Sequence, residues 1–193
     1  GEFVDLTNEK GLDSEAVRWL IGEELPSGVT WEGNQGGSAI RNMKNPTEYD
    51  QPDRYNSPLF VKATLSSTED NGGVHTNSGV GNKLVYLLTD GDTFNGEQVR
   101  GFGIVRTAKL FYEALGLLPP TADYTMLALA LNASALSQGL SIEDRFNISR
   151  ALSAVEILPE ELLEMSARDF RATSILLEDD TPAILLSWTP PSS

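Results

Sequence analysis

The sequence predicts a mainly α protein: a bundle of about four to five helices, with a long ordered loop region before it and a short β-like appendage after it. Three observations lead there. From Asn77 to residue 157, apolar residues recur at helical spacing, broken by capping residues and glycines. Over residues 23–58, Pro26, Gly28, Gly33, Gly36, Gly37, Pro46, Pro52 and Pro58 forbid long regular elements, while Trp31, Ile40, Met43, Tyr49 and Tyr55 give the loop something to pack with. After residue 157 the helical pattern gives way to short runs of β-favouring residues. The domain division follows: a helical domain over 1–157 and an extension or linker with short strands over 158–193.

Taken in order, residues 1–8 read as the end of a helix, with Phe3, Val4 and Leu6 apolar and Asn8 as its stop. Asp13-Ser14-Glu15 precedes a short turn or extended segment over 16–21. Residues 38–43 are expected to make a helical turn, with Ile40 and Met43 inward and Arg41 to one side. Residues 59–70 stay open between helix and extended chain. Val80, Leu84, Val85, Leu87 and Leu88 predict an amphipathic helix from Asn77 to Asp90, closed by Gly91. Residues 94–101 are a loop with room for a small hairpin.

A second helix runs between Gly103 and Gly116. A third, over 123–137, is apolar nearly all round at residues 126–131 and is expected to be central and buried. The fourth starts at Ser141, which with Asp144 resembles a capping box, and runs to Val155 with Phe146, Ile148, Ala151, Leu152 and Val155 inward. A short helix is expected over 159–165. Strand-like runs at 171–177 and 183–188 flank a turn ending at Pro182, and 189–193 read as a linker.

Composition narrows the function. The net charge is −14 over 193 residues, which argues against nucleic acid or an anionic membrane surface as partner. No run reaches the roughly 18 apolar residues that a membrane span needs. There is no cysteine and one histidine, so disulfides, thiol catalysis and the usual zinc sites cannot be built from these residues alone. No His-Glu-x-x-His occurs.

That single histidine sits in Asp70-Asn71-Gly72-Gly73-Val74-His75-Thr76-Asn77-Ser78-Gly79. Adjacent glycines allow a tight turn, and Asn77-Ser78 reads as a helix start. One imidazole is thus placed beside a carboxylate and a carboxamide at the lip of a helix. From the residues alone, His75 is equally a surface histidine, Asp70 and Asn71 equally a turn, and Arg41 equally a surface arginine. A serine triad of Asp70, His75 and Ser78 is disfavoured, because no nucleophile elbow surrounds Ser78.

The ten-residue stretch closely resembles the substrate-binding segment of the thermolysin-like neutral zinc metallopeptidases. Ile40-Arg41-Asn42-Met43, Asn45-Pro46 and Asp50-Gln51-Pro52-Asp53-Arg54-Tyr55 resemble the preceding family segment. Gly1-Glu2-Phe3-Val4-Asp5-Leu6 resembles the end of the helix that supplies the zinc-ligand glutamate, and 109–115 and 151–155 resemble later helices. The likeness covers residues 1–157 and implies an orthogonal helical bundle, the C-terminal subdomain of a secreted zinc metalloendopeptidase.

It implies roles as well. Zinc and the water-activating glutamate belong to the N-terminal half of the same protein, outside this chain, so the chain alone is expected to be inactive. His75 would stabilise the oxyanion of the tetrahedral intermediate or donate a proton, with Asp70 orienting it. Asn71 would bind the backbone of a peptide or protein substrate, Arg41 a carbonyl beyond the scissile bond, and Ile40 would line the pocket for the following side chain. Asp5 and Glu23 match two of the family's calcium-binding carboxylates and are the candidates for a calcium site. Arg18 and Leu20 stand where carboxylates are expected. The rival reading is a non-catalytic module that binds a peptide or partner, from a degenerate peptidase. Residues 184–191 also faintly resemble an early strand of fibronectin-type modules.

Overall fold

A computed structural model of the chain describes residues 17–22, 39–62 and 70–157, and the backbone of two strands at 171–176 and 182–187. Its contacts divide the chain into two units, Gly1–Ile157 and Leu158–Ser193. Among the described residues, the first unit is built on four helices longer than one turn: α1 Ser78–Asp90, α2 Ile104–Leu115, α3 Tyr124–Ser137 and α4 Ile142–Ala154.

Helix α1 holds the core. Val80, Leu84, Leu87 and Leu88 are fully buried, as the apolar spacing predicts. Each of these leucines contributes about 1.5–3 kcal/mol by leaving water. α1 packs against α2 and α4, whose Leu110, Ala114, Ile148, Ala151 and Leu152 close the other side. Gly79, in its first turn, lies against the 51–52 segment. A Cβ there would stand 2.4 Å from the Pro52 carbonyl oxygen and 2.8 Å from the Gln51 Cβ. Gly79→Ala is therefore expected to destabilise the domain by about 1–3 kcal/mol, the cost of forcing atoms into a filled site. Urea unfolding measures it, and an unchanged midpoint would show that this contact is not made.

The chain leaves α1 at Gly91 and enters a hairpin, β3 Gly91–Phe94 and β4 Glu97–Arg100. Asn95 and Gly96 make its two-residue turn, with φ of 48° and 84°. The hairpin is the small one for which residues 94–101 left room, but it begins three residues earlier. Val99 buries itself on the inner side. Asn147 of α4 then clasps the backbone of Arg100, accepting from its N–H at 2.8 Å and donating to its C=O at 2.7 Å. Asp144 receives Arg100 at 2.6 Å and Arg106 at 2.8 Å, which ties the hairpin and α2 to the start of α4. Ser141 caps α4 by accepting the Asp144 N–H at 3.1 Å.

Three expectations give way. Residues 41–42 are not helical: β2 Arg41–Asn42 pairs antiparallel with β1 Leu20–Ile21, in the register Leu20↔Asn42 and Ile21↔Arg41. The Ile40 N–H goes to the Ile21 carbonyl at 2.7 Å and the Met43 N–H to the Trp19 carbonyl at 2.8 Å. Partners this distant in sequence outweigh a local helical preference. Second, α3 is peripheral. It buries Ala128, Ala130, Leu131, Ser134 and Ala135, while Met126, Leu129 and Leu136 are 41%, 50% and 60% exposed. An apolar surface on every side gives periodicity no direction, and the small residues took the side that approaches α2 closely. Third, Phe146 faces out, because two residues before Ile148 is about 200° around the helix.

In the second unit, β5 Arg171–Leu176 runs antiparallel to β6 Pro182–Ser187, from Arg171↔Ser187 to Leu176↔Pro182. Pro182 opens β6 instead of closing the turn, a place where its missing N–H costs least. The expected elements over 1–8 and 159–165 and the linker over 189–193 lie outside the described residues, as do 63–69 of the undecided stretch. Residues 59–62 are irregular.

Candidate functional site

Four consecutive residues take left-handed backbone angles: Asp70 (φ 46°), Asn71 (48°), Gly72 (85°) and Gly73 (87°). Asp, Asn and Gly are the residue types that tolerate this region. Gly73 is required twice over, since a Cβ would also sit 2.6 Å from both the Val61 Cβ and the Asn77 Nδ2. The turn doubles the chain back, so the Asp70 side chain faces the residues that follow it.

Asp70 Oδ2 accepts the backbone N–H of Thr76 at 2.8 Å and of His75 at 3.0 Å. Its Oδ1 lies 2.6 Å from the His75 Nδ1. The Thr76 N–H foremost, then the His75 ring, pull the Asp70 pKa from 3.8 down to about 2. An ionised carboxylate only accepts, so Nδ1 carries the hydrogen of this bond and Nε2 is left facing away from Asp70. The His75 side chain is 60% exposed and that of Asp70 19%. The result is a reachable imidazole held by a largely covered carboxylate.

Arg41 reaches the same place from β2. Its Nη1 donates to the His75 carbonyl at 3.3 Å and to the Ser78 Oγ. Ser78 in turn donates its hydroxyl hydrogen to the His75 carbonyl at 2.6 Å, and the Gln51 Nε2 approaches that oxygen at 3.4 Å. The Ser78 hydrogen is thus directed at the backbone and not at the imidazole, the reverse of what a serine triad needs. Asn71 is exposed on the turn, and its side chain makes no hydrogen bond among the described residues. Ile40 is half-buried immediately before Arg41. The structure therefore brings together Asp70, His75 and Arg41, with Asn71 and Ile40 at their flanks. Asp5 and Glu23 lie outside the described residues.

Asn77 does more than precede α1. Its side chain makes no cap bond. Instead it clamps Val61, accepting from its N–H at 2.9 Å and donating to its C=O at 2.8 Å. Tyr124 at the start of α3 donates its hydroxyl to the Asn77 carbonyl at 2.6 Å and accepts the Gly81 N–H at 3.1 Å. Gln51, Ser78 and Tyr124 carried no sequence signal for these tasks, because each acts on a backbone group whose position is set by the fold.

No group of three or more His, Cys, Asp and Glu side chains that could hold a metal occurs among the described residues. The one imidazole has Nδ1 engaged by Asp70 and could offer a single ligand, where zinc takes at least three from the protein. These residues do not fit zinc.

A helical domain thus carries a carboxylate-held histidine on the 70–78 turn beside an arginine from β2, without a metal cluster among the described residues. The chain belongs to the family described as thermolysin metallopeptidase, alpha-helical domain, which it matches over residues 2–157. It is 40% identical over 166 residues to a zinc metalloproteinase of Renibacterium salmoninarum, covering 81% of this chain and 28% of that protein. It is 36% identical over 141 residues to the thermostable neutral protease of Geobacillus stearothermophilus and to a thermolysin of Alicyclobacillus acidocaldarius, covering 72% of this chain and 24% of each relative. The chain spans about a quarter of the length of the curated relatives it matches.

Proposed function

We propose that residues 1–157 form the helical half of a secreted zinc metalloendopeptidase and supply the wall of the cleft that faces a peptide substrate. Residues 158–193 are an extension with its own strands. The observation that carries the reading is the Asp70–His75 pair: an exposed imidazole fixed at 2.6 Å by a carboxylate that also binds two amides of the same turn. Such a group has a defined direction before substrate arrives, which is what stabilising a transient negative charge requires.

In this role His75 acts as the imidazolium, with Nδ1–H on Asp70 and Nε2–H donating to the oxyanion that develops on the scissile carbonyl, and Asp70 keeps the ring pointed there. Arg41 donates to a substrate carbonyl beyond the bond, Asn71 to the substrate backbone, and Ile40 borders the pocket for the next side chain. The zinc that the family implies is held by the N-terminal half, and attack on the peptide bond is the work of that half. Calcium, with Asp5 and Glu23 among its ligands, is a further expectation of the same reading. Among the described residues no helix is long and apolar enough to cross a membrane.

A peptidase assay tests the division of labour. The isolated chain is expected to show no turnover, and the full-length protein chelator-sensitive turnover. Chelator-sensitive cleavage by the chain alone would overturn the assignment, and a silent full-length protein would favour a non-catalytic peptide-binding module.

A further inference from the structure

We propose that Ser78 is a positioning residue that couples Arg41 to His75, so that the guanidinium and the histidine backbone are set by one hydroxyl. The inference rests on the reading that Arg41 and His75 face the substrate.

The His75 carbonyl oxygen is approached by three donors, Ser78 Oγ at 2.6 Å, Arg41 Nη1 at 3.3 Å and Gln51 Nε2 at 3.4 Å. A carbonyl has two lone pairs, so the short contact dominates and the long ones are secondary. Ser78 has a single hydrogen, and it goes to this oxygen. Its own oxygen is then free to accept, and Arg41 donates to it. The bonds run in one direction, guanidinium to hydroxyl to carbonyl, and the positive charge at the head polarises the hydroxyl and strengthens its bond to the carbonyl.

Ser78 thus joins β2 to the first turn of α1 across 37 residues of sequence. Arg41 has no carboxylate partner among the described residues. Without the hydroxyl, its guanidinium keeps only the 3.3 Å contact to the His75 carbonyl among the described residues. Gln51 offers a comparison within the same site: it supports the same carbonyl but makes no hydrogen bond to Arg41 among the described residues.

The test uses the full-length protein with a peptide substrate. Ser78→Ala is expected to lower kcat/KM by about tenfold or more, through both a higher KM and a lower kcat. Ser78→Thr, which keeps the hydroxyl, is expected to restore most of the loss. In the Ser78→Ala background, Arg41→Ala is expected to cost at least about fivefold less than in the wild type, because the two act as one unit. Circular dichroism confirms that each variant is folded. If Arg41→Ala and His75→Ala each impair turnover while Ser78→Ala stays within about twofold of wild type, the coupling is refuted and the wall stands. It is equally refuted if Ser78→Thr is as impaired as Ser78→Ala, or if the Ser78 and Arg41 losses simply multiply. If neither Arg41→Ala nor His75→Ala changes turnover, the wall itself is wrong and the coupling falls with it.

Discussion

Replacing His75 by Ala in the full-length protein is expected to lower kcat by roughly 100-fold or more, the cost of losing one donor to a developing oxyanion. KM is expected to change little, because the bond is made in the transition state and not in the ground state. The protein's stability should move by no more than about 0.5 kcal/mol, since the side chain is 60% exposed and its removal leaves the backbone bonds of the turn in place. Steady-state kinetics with thermal unfolding of the same sample separates the two effects. A rate within a few-fold of wild type would remove His75 from the reaction. A large loss of stability would make it a structural residue.

The second large effect belongs to Asp70. Asp70→Asn keeps the shape and one accepting oxygen, so the Thr76 or His75 amide can still be met. The amide nitrogen that replaces the other oxygen cannot accept from the His75 Nδ1–H. The ring loses its direction, and turnover is expected to fall roughly 10- to 100-fold, the range for groups that orient a functional imidazole. The carboxylate also carries a pH signature. Its folded pKa of about 2 lies below the ordinary 3.8. The turn's contribution is therefore fully present above the ordinary value and disappears as pH falls through the folded one. The carboxyl carbon shift of Asp70 in NMR should titrate near 2; a midpoint at 3.8 would mean that the amide bonds are not formed in solution.

Some of this was written locally in the chain. The α1 face could be read from Val80, Leu84, Leu87 and Leu88 because a single apolar stripe has one burial direction. The turn could be read from Asp70-Asn71-Gly72-Gly73, since left-handed backbone demands those residue types, and Ser141 declared the start of α4. What stayed hidden was set by partners far along the sequence. The strand at Arg41–Asn42 exists because of Leu20–Ile21. The side of α3 that is buried was decided by where α2 lies, not by a pattern that is apolar throughout. In the site, Asp70 and His75 are five residues apart and legible together. Gln51 meets His75 across 24 residues and Tyr124 meets Asn77 across 47, and no spacing rule reaches that far.

The Tyr124 hydroxyl has a consequence for how the domain opens. It occupies the donor of Gly81 and the acceptor of Asn77. Burial raises its pKa above the ordinary 10.0, so it remains a hydroxyl through the neutral and mildly alkaline range. The start of α1 is thereby closed by a side chain that belongs to α3. Fraying of α3 would release both backbone groups at once. The first turn of α1 and the first turn of α3 form one cooperative unit, and the exchange rate of the Gly81 amide reports the opening of a helix to which it does not belong.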